Sequence, residues 1–416
     1  MVLLVINGVI GSGIFRLPAD SFKEVGVYSI AAFLVCAVVV FVIILCFAEV
    51  SSRFDKTGGP YLYALTSFGP LPAFLTGWLL LITRFITYAA LINLLVTYLS
   101  VFSVWFELRS ARIITIILLT LFLAYVNHIG VKNSTRVNNF LTIGKLLPLL
   151  LFIIVGFFFI EPGNYEINKV PDFTSFSSTV LLLVFAFGGF ESVLVNSGEV
   201  KNPEKNLPFA LFLAALIIAG IYMLIQIVSI GTLPTLASTN KPLADAAALF
   251  MGKTGAIIIA IGAMFSVSGT LNAIMLVGSR LPFAFSEEKQ FPAVFSFIHP
   301  KYKTPTWSLL LFMTLTIIIS LNYSFLSAAS ISAITRVMIY GIVCVTLIIL
   351  RKKNPGKTGF FKIKYGNIVA ILGVLLTLWL LTSATLEQMK QISIAIGIGL
   401  VVYLLMELSK RIKSKK

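Results

Sequence analysis

INGVIGSGIFRLP, residues 6–18, places Gly8, Gly11, Ser12 and Gly13 inside the first apolar stretch of a 416-residue chain that is 58% hydrophobic. Glycine costs about 1 kcal/mol in a helix interior, and unwound backbone in hydrocarbon leaves N–H and C=O groups unpaired at several kcal/mol each. A break here survives only where the released backbone faces a cavity or other protein. A small-residue face that lets a neighbouring helix approach closely accounts for the same glycines. The rest of the chain has to separate the two readings.

Composition sets the medium. Only 12% of residues are charged, about half the share of a soluble globular domain, and mean hydropathy is +1.00. A bilayer core of about 30 Å takes roughly 20 apolar residues per helix. Such runs recur at 2–19, 29–50, 73–100, 112–128, 140–160, 177–197, 208–231, 255–284, 306–323, 326–350, 366–384 and 390–409. They predict one all-α integral membrane domain of 12 transmembrane helices. TLPTLASTNKPLADAAALFMGKT (232–254) is too polar to cross and reads as an external loop carrying a short helix. Met1 stands almost at the start of the first span, which suggests a shortened first half-helix and no cleavable signal peptide with a polar leader.

The formal net charge of +16 is spread through the connections rather than gathered in a basic domain, which argues against nucleic acid. With a cytoplasmic N-terminus, the inner segments collect Arg53, Lys56, Lys132, Arg136, Lys201, Lys205, Lys289, Lys301 and Lys303. They also gain RKKNPGKTGFFKIK (351–364) and the tail KRIKSKK (410–416), whereas the outer segments hold scattered cations such as Lys23, Arg109, Lys169 and Lys241. This asymmetry predicts a multi-pass protein of the cell (inner) membrane with both termini cytoplasmic. The tail is also suited to anionic lipid head groups.

Cys36, Cys46 and Cys344 lie in apolar runs without paired spacing, and His128 and His299 are too few for a metal centre. Neither a metal nor another cofactor is expected. No segment groups a nucleophile, a base and an orienting residue, which argues against an enzyme.

A second interruption favours the cavity reading of the first. LLLVFAFGGFESVLVNSGEV (181–200) puts Gly188 and Gly189 near mid-span with Glu191 just beyond. The two interrupted spans are five helices apart. They correspond if 1–160 and 177–350 are inverted repeats followed by two additional helices at 366–409, and paired interruptions of this kind mark secondary-transporter binding sites. Unwinding at Gly11 to Gly13 frees the N-terminus of the outer half-helix, whose N–H groups and positive dipole end suit a carboxylate. Carbonyls released from the inner half of span one and from Phe185 to Phe187 suit an ammonium. Together they suit an α-amino acid.

GVIGSGIFRLPA (8–19), AEVSSRFDKTGGPYLYA (48–64), VKNSTRVNNFLTIGKLLPLLLFIIVG (131–156), FAFGGFESVLVNSGEVKNPEKNLPFAL (185–211) and GSRLPFAFSEEKQFPAVFSFIHPKYKTP (278–305) occur in this order. The chain resembles the amino acid-polyamine-organocation (APC) family of permeases in these motifs, while its last three spans match mainly in length and topology. The resemblance implies a LeuT-like fold, a five-plus-five inverted repeat with discontinuous helices 1 and 6, working by alternating access. By the family's pattern Gly11, Ser12 and Gly13 bind the substrate carboxylate, and the carbonyls of Val9 and Ile10 help hold its amino group. Phe185, Ala186, Phe187 and Gly188 line the other side, with Phe185 where some exchangers carry a gating tryptophan. A lysine at the position of Lys145 stands in for a bound sodium ion in such members, near span one and hydroxyls of span eight, here Ser266 and Ser268. Family exchangers often carry a carboxylate where this chain has Glu191.

Physical chemistry adds its own constraints. Lys145 lies within FLTIGKLLPLLL (140–151), where a bare ammonium costs about 2.5–3.5 kcal/mol on insertion scales. It must pair with carbonyls, snorkel to the cytoplasm, or exchange its proton during the cycle. Glu191 is a candidate proton carrier or a structural hydrogen-bond partner. Arg16, Arg84 and Arg336 are candidate gate elements or partners for it, and Asn272 is a candidate side-chain contact from span eight. DKTGGPY (55–61) and EVKNPEKNLP (199–208) read as turns serving the cytoplasmic gate. The expected function is sodium-independent amino-acid transport, by proton symport or exchange. A polyamine or organic-cation carrier would want more acids than Glu191, which leaves neutral amino acids preferred. A sensor that binds without transporting is the reading from another class.

Overall fold

The computed structural model of the protein describes residues 2–54, 58–130, 135–167, 170–191, 203–353 and 361–414. Lys56, Lys132, Lys169 and Lys201, parts of DKTGGPY, EVKNPEKNLP and RKKNPGKTGFFKIK, and the sixth span beyond Glu191 lie outside the described residues, as do the side chains of Arg136 and Lys205. Every regular element among the described residues is helical.

The first apolar stretch is two helices, α1 (Val2–Val9) and α2 (Gly13–Val25), separated by a non-helical step at residues 10–12. Then come α3 (Ser29–Ser51), the short α4 (Gly59–Phe68), α5 (Pro70–Leu99), α6 (Arg109–His128) and α7 (Thr135–Gly156). The second interrupted stretch opens with α8 (Phe173–Phe187), which stops at Gly188 and Gly189 before helical geometry resumes at Phe190 and Glu191. It is followed by α9 (Pro203–Thr232), α10 (Pro242–Glu287), α11 (Thr306–Asn322) and α12 (Phe325–Lys353), and last by α13 (Gly366–Thr382) and α14 (Leu386–Ser414).

Seven of the described stretches are long and apolar enough to cross a membrane by length and composition: 13–51, 70–99, 109–128, 206–232, 242–287, 325–353 and 386–412. Shorter apolar helices at 143–159, 173–187, 306–322 and 366–382 complete the set. The expected short helix in the 232–254 loop is present as the first turns of α10, set off from the long remainder by a kink at Gly252, where φ is +64°.

Two polar knots pin the ends of the bundle. The buried Glu49 carboxylate, in the last turn of α3, accepts from Arg53 (2.6 Å), from Arg351 of α12 (2.8 and 2.5 Å) and from the Ile363 N–H (2.9 Å). Apolar helices slide past one another easily, so one charge shared by several elements fixes their relative height. In the first turn of α2, Arg16 pairs with Asp20 (2.9 Å) and donates to Thr239 O (3.1 Å) and Asn240 Oδ1 (2.5 Å), tying α2 to the connection before α10.

Candidate functional site

The two interruptions meet. α2 packs against α8 so closely that a Cβ on Gly13 would stand 2.6 Å from Ala186 Cα, and one on Gly189 would run into Gly8 O. Gly189 also has φ +122°, a region that L side chains avoid. Glycine at 13 and 189 is therefore what lets one broken helix lie against the other.

The first break releases carbonyls, and a cation holds them. Lys145 of α7 is 1% exposed, and its ammonium donates to Asn7 O (2.8 Å) and Ile10 O (2.6 Å). Ser266 of α10 donates to Ile10 O (3.2 Å) and more weakly to Gly11 O (3.4 Å). Thr270, one helical turn further along, lies beside Gly11 and bonds back to Ser266 O. Lys145 therefore pairs with carbonyls, the first of its three expected fates, and Ile10 O already has two donors. A carbonyl has two lone pairs, so Ile10 is fully occupied holding the break.

The second break exposes an N–H, and an anion holds it. Glu191 Oε2 accepts from the Gly189 N–H (2.8 Å) and from the Tyr340 hydroxyl (3.2 Å), while Oε1 pairs with Arg336 of α12. The guanidinium lies over Gly188, where a Cβ would come within 2.7 Å of Arg336 Cζ. Arg336 also reaches Ser332 (3.4 Å) and Thr87 (3.5 Å), and the buried Arg84 of α5 lies within electrostatic reach of both Glu191 and Arg336. Of the three candidate arginines, then, Arg336 is the direct partner of Glu191, Arg84 is its neighbour, and Arg16 belongs to the knot between the first turns of α2 and the connection before α10.

One side chain bridges the breaks. The buried Tyr222 hydroxyl of α9 is 3.1 Å from Ala186 O and 3.5 Å from Val9 O, a donor shared between a carbonyl of each broken helix. Phe187 packs edge-on against the Tyr222 ring (5.1 Å), and Phe185 meets Phe325 in the same way (5.7 Å). Phe185 and Phe187 are both buried in the protein.

Ser12 stands at the N-cap of α2, 1% exposed, and its hydroxyl has no hydrogen-bond partner among the described residues. An unsatisfied buried hydroxyl costs about 1–3 kcal/mol. The N–H groups of Gly13 and Ile14 come before the first helical acceptor, while the Phe15 N–H already donates to Ser12 O (3.1 Å). Unsatisfied donors and a positive helix end converge beside the packed second break, an arrangement able to hold an anionic group.

Not every expected residue joins this group. Ser266 and Thr270 share a face of α10, whereas Ser268 is rotated by about 200° from Ser266. Asn272 faces α6, where it accepts from Asn127 Nδ2 (2.8 Å). Tyr222, Asn7, Thr270 and Tyr340 were not singled out from sequence. A tyrosine alone in the aliphatic run ALIIAGIYMLIQIV (215–228) was the available signal.

The family model described as "Amino acid permease" matches residues 1–408. The methylthioribose transporter of Bacillus subtilis is 28% identical over 97% of this chain and 91% of that protein. The serine/threonine exchanger SteT of the same organism is 30% identical over 95% and 92%. The human large neutral amino acids transporter small subunit 2 is 29% identical over 85% of this chain and 69% of its own length. These relatives are transporters, not enzymes.

Proposed function

This chain belongs to the amino acid permease family, and on that premise we propose that it carries neutral amino acids across the cell membrane by alternating access, without sodium. The buried hydroxyl of Ser12 at the start of α2, without a partner among the described residues, is the observation that carries the reading. In the proposed complex the substrate carboxylate sits on Gly11, Ser12 and Gly13, completing the hydrogen bonds that the protein alone leaves open. The amino group takes Val9 O and the last carbonyls of α8. Phe185, Ala186, Phe187 and Gly188 enclose the other side.

Sodium independence rests on Lys145. Its ammonium supplies the positive charge between Asn7 O and Ile10 O that a metal cation would otherwise bring. The preference for neutral substrates is supported by Glu191, the mid-span acid singled out from sequence, whose oxygens already face Arg336, Tyr340 and Gly189. We read the chain as twelve spans with both ends cytoplasmic, with α1 to α7 and α8 to α12 as inverted repeats. Glu49 then lies at the cytoplasmic end, and Arg16 at the outer one.

Uptake into sodium-free proteoliposomes tests this. Labelled neutral amino acids are offered to empty and amino-acid-loaded vesicles, with and without an inward proton gradient, beside labelled methylthioribose. Accumulation driven by the gradient in empty vesicles makes it a symporter, and uptake confined to loaded vesicles makes it an exchanger of the kind SteT is named for. Uptake of methylthioribose alone, or binding of an amino acid with no uptake in any vesicle, contradicts the proposal.

A further inference from the structure

A groove of about 220 Å³ opens between α1, α3, α8 and α9. Its rim is Leu34 (49% exposed), Val38 (55%) and Leu216 (62%), and its inner wall includes Val9, Phe187 and Phe190. Every lining residue is apolar. The wall is also where the two breaks begin and end: Val9 closes α1, Phe187 closes α8, and Phe190 is the first residue after the Gly-Gly step.

We propose that this groove holds an acyl chain of a bilayer phospholipid, reaching from the lipid-facing rim to the backs of both broken helices. Three observations select that occupant. Water needs two to four polar partners, and this wall has none to offer. A zwitterionic amino acid meets the same objection. A helix of another protein is about 10–12 Å across with its side chains, too bulky to fit in a groove of about 220 Å³, although it could cover the rim.

The rim residues lie more than one turn inside α3 and α9, within stretches long and apolar enough to cross a membrane, so the mouth opens onto hydrocarbon. An apolar cavity of about 150 Å³ stays dry and takes up small apolar molecules, and this one is larger. Left empty, its wall would forfeit the dispersion contacts of close packing. Phe41 and Phe212 meet edge-on at 5.2 Å beside the mouth, Phe212 itself being 47% exposed, and give an entering chain an aromatic flank.

The consequence is mechanical. Any movement of α1 against α9 changes the width of the groove, so a chain bound there favours the arrangement of the breaks that accommodates it. This coupling does not depend on which solute the site carries.

The test uses the full chain in nanodiscs of phosphatidylcholine bearing a photoactivatable diazirine on one acyl chain, with cross-links mapped by mass spectrometry. Labels are expected on Val9, Phe187 or Phe190 as well as on Leu34, Val38 and Leu216. Ala215→Phe fills the groove from α9 and should reduce inner-wall labelling at least fivefold, while Leu118 and Phe122, exposed on α6, stay labelled as before. Ala37→Phe, filling it from α3, repeats the measurement should the first variant fail to fold. Labelling confined to the rim in the unsubstituted protein overturns the proposal. So does inner-wall labelling unchanged by either filled variant.

Discussion

The two interrupted helices solve one problem with opposite charges. At the first break the backbone presents carbonyls, and a buried cation, Lys145, takes two of them with help from Ser266. At the second the backbone presents an N–H, and that of Gly189 donates to a buried anion, Glu191, which is itself compensated by Arg336. Each break is stabilised by a side chain complementary to the end of the backbone dipole it exposes. Their neighbours differ in reach as well. Lys145 draws in α1 and α10 near the unsatisfied Ser12, while Glu191 is anchored to α12 and, through Thr87, to α5. In the proposed function the first break is the recognition side, and the second ties it to α12 and α5.

Removing Glu191 is expected to have the largest effect. Glu191→Ala leaves Arg336 buried without its counter-charge, a change that costs about 3–5 kcal/mol when one partner of a buried pair is lost. Thermal unfolding in detergent should show a marked drop, largely rescued by Glu191→Ala with Arg336→Met. If the double variant is no better than the single one, the pair does not hold the second break.

Lys145→Ala comes next. It strips Asn7 O and Ile10 O of a charged donor, at about 1–3 kcal/mol for a buried acceptor that loses its partner, although Ile10 O keeps the Ser266 hydroxyl, and should cut sodium-free uptake at least tenfold while leaving the fold intact. Unchanged uptake and an unchanged pH profile would reduce Lys145 to a packing residue and dissolve the symmetry between the breaks. Tyr222→Phe should be milder, about 1 kcal/mol for one neutral hydrogen bond, and should appear as slower turnover with substrate affinity retained.

The smallest effect is expected at Asp172, outside the spans. It caps α8, accepting from Ser175 Oγ (2.7 Å) and the Ser175 N–H (3.0 Å), and these hydrogen bonds hold its carboxyl below the usual carboxylate range. A depressed value means that the cap contributes above the ordinary carboxylate pKa and is lost as pH falls through the lowered one. Asp172→Ala should slightly lower the melting temperature at neutral pH and make no difference in strong acid.

Much of this was legible beforehand because local chemistry announces it. Glycine clusters inside apolar runs are costly unless the backbone is meant to break, and GVIGSG and FGGFE marked both sites. Carbonyl pairing was one of three fates open to Lys145, and Ser266 came, with Ser268, from the family resemblance. The pairings were not legible. Arg336 meets Glu191 across 145 residues of sequence, and Ser52 meets Phe361 O across 309. No periodicity encodes such distances. Ser268 and Asn272 show the limit of reading a helix by position alone: the 3.6-residue period decides which hydroxyl faces the break, and Thr270, not Ser268, shares the face of Ser266.

The most direct measurement of the central claim is equilibrium binding of a labelled neutral amino acid, in sodium-free buffer, to the unsubstituted protein and to Ser12→Leu. The account predicts saturable binding that Ser12→Leu abolishes, because a leucine side chain occupies the space at the start of α2 and removes the waiting hydroxyl. Undiminished affinity in a folded Ser12→Leu protein would contradict it and move the site away from the meeting of the two breaks.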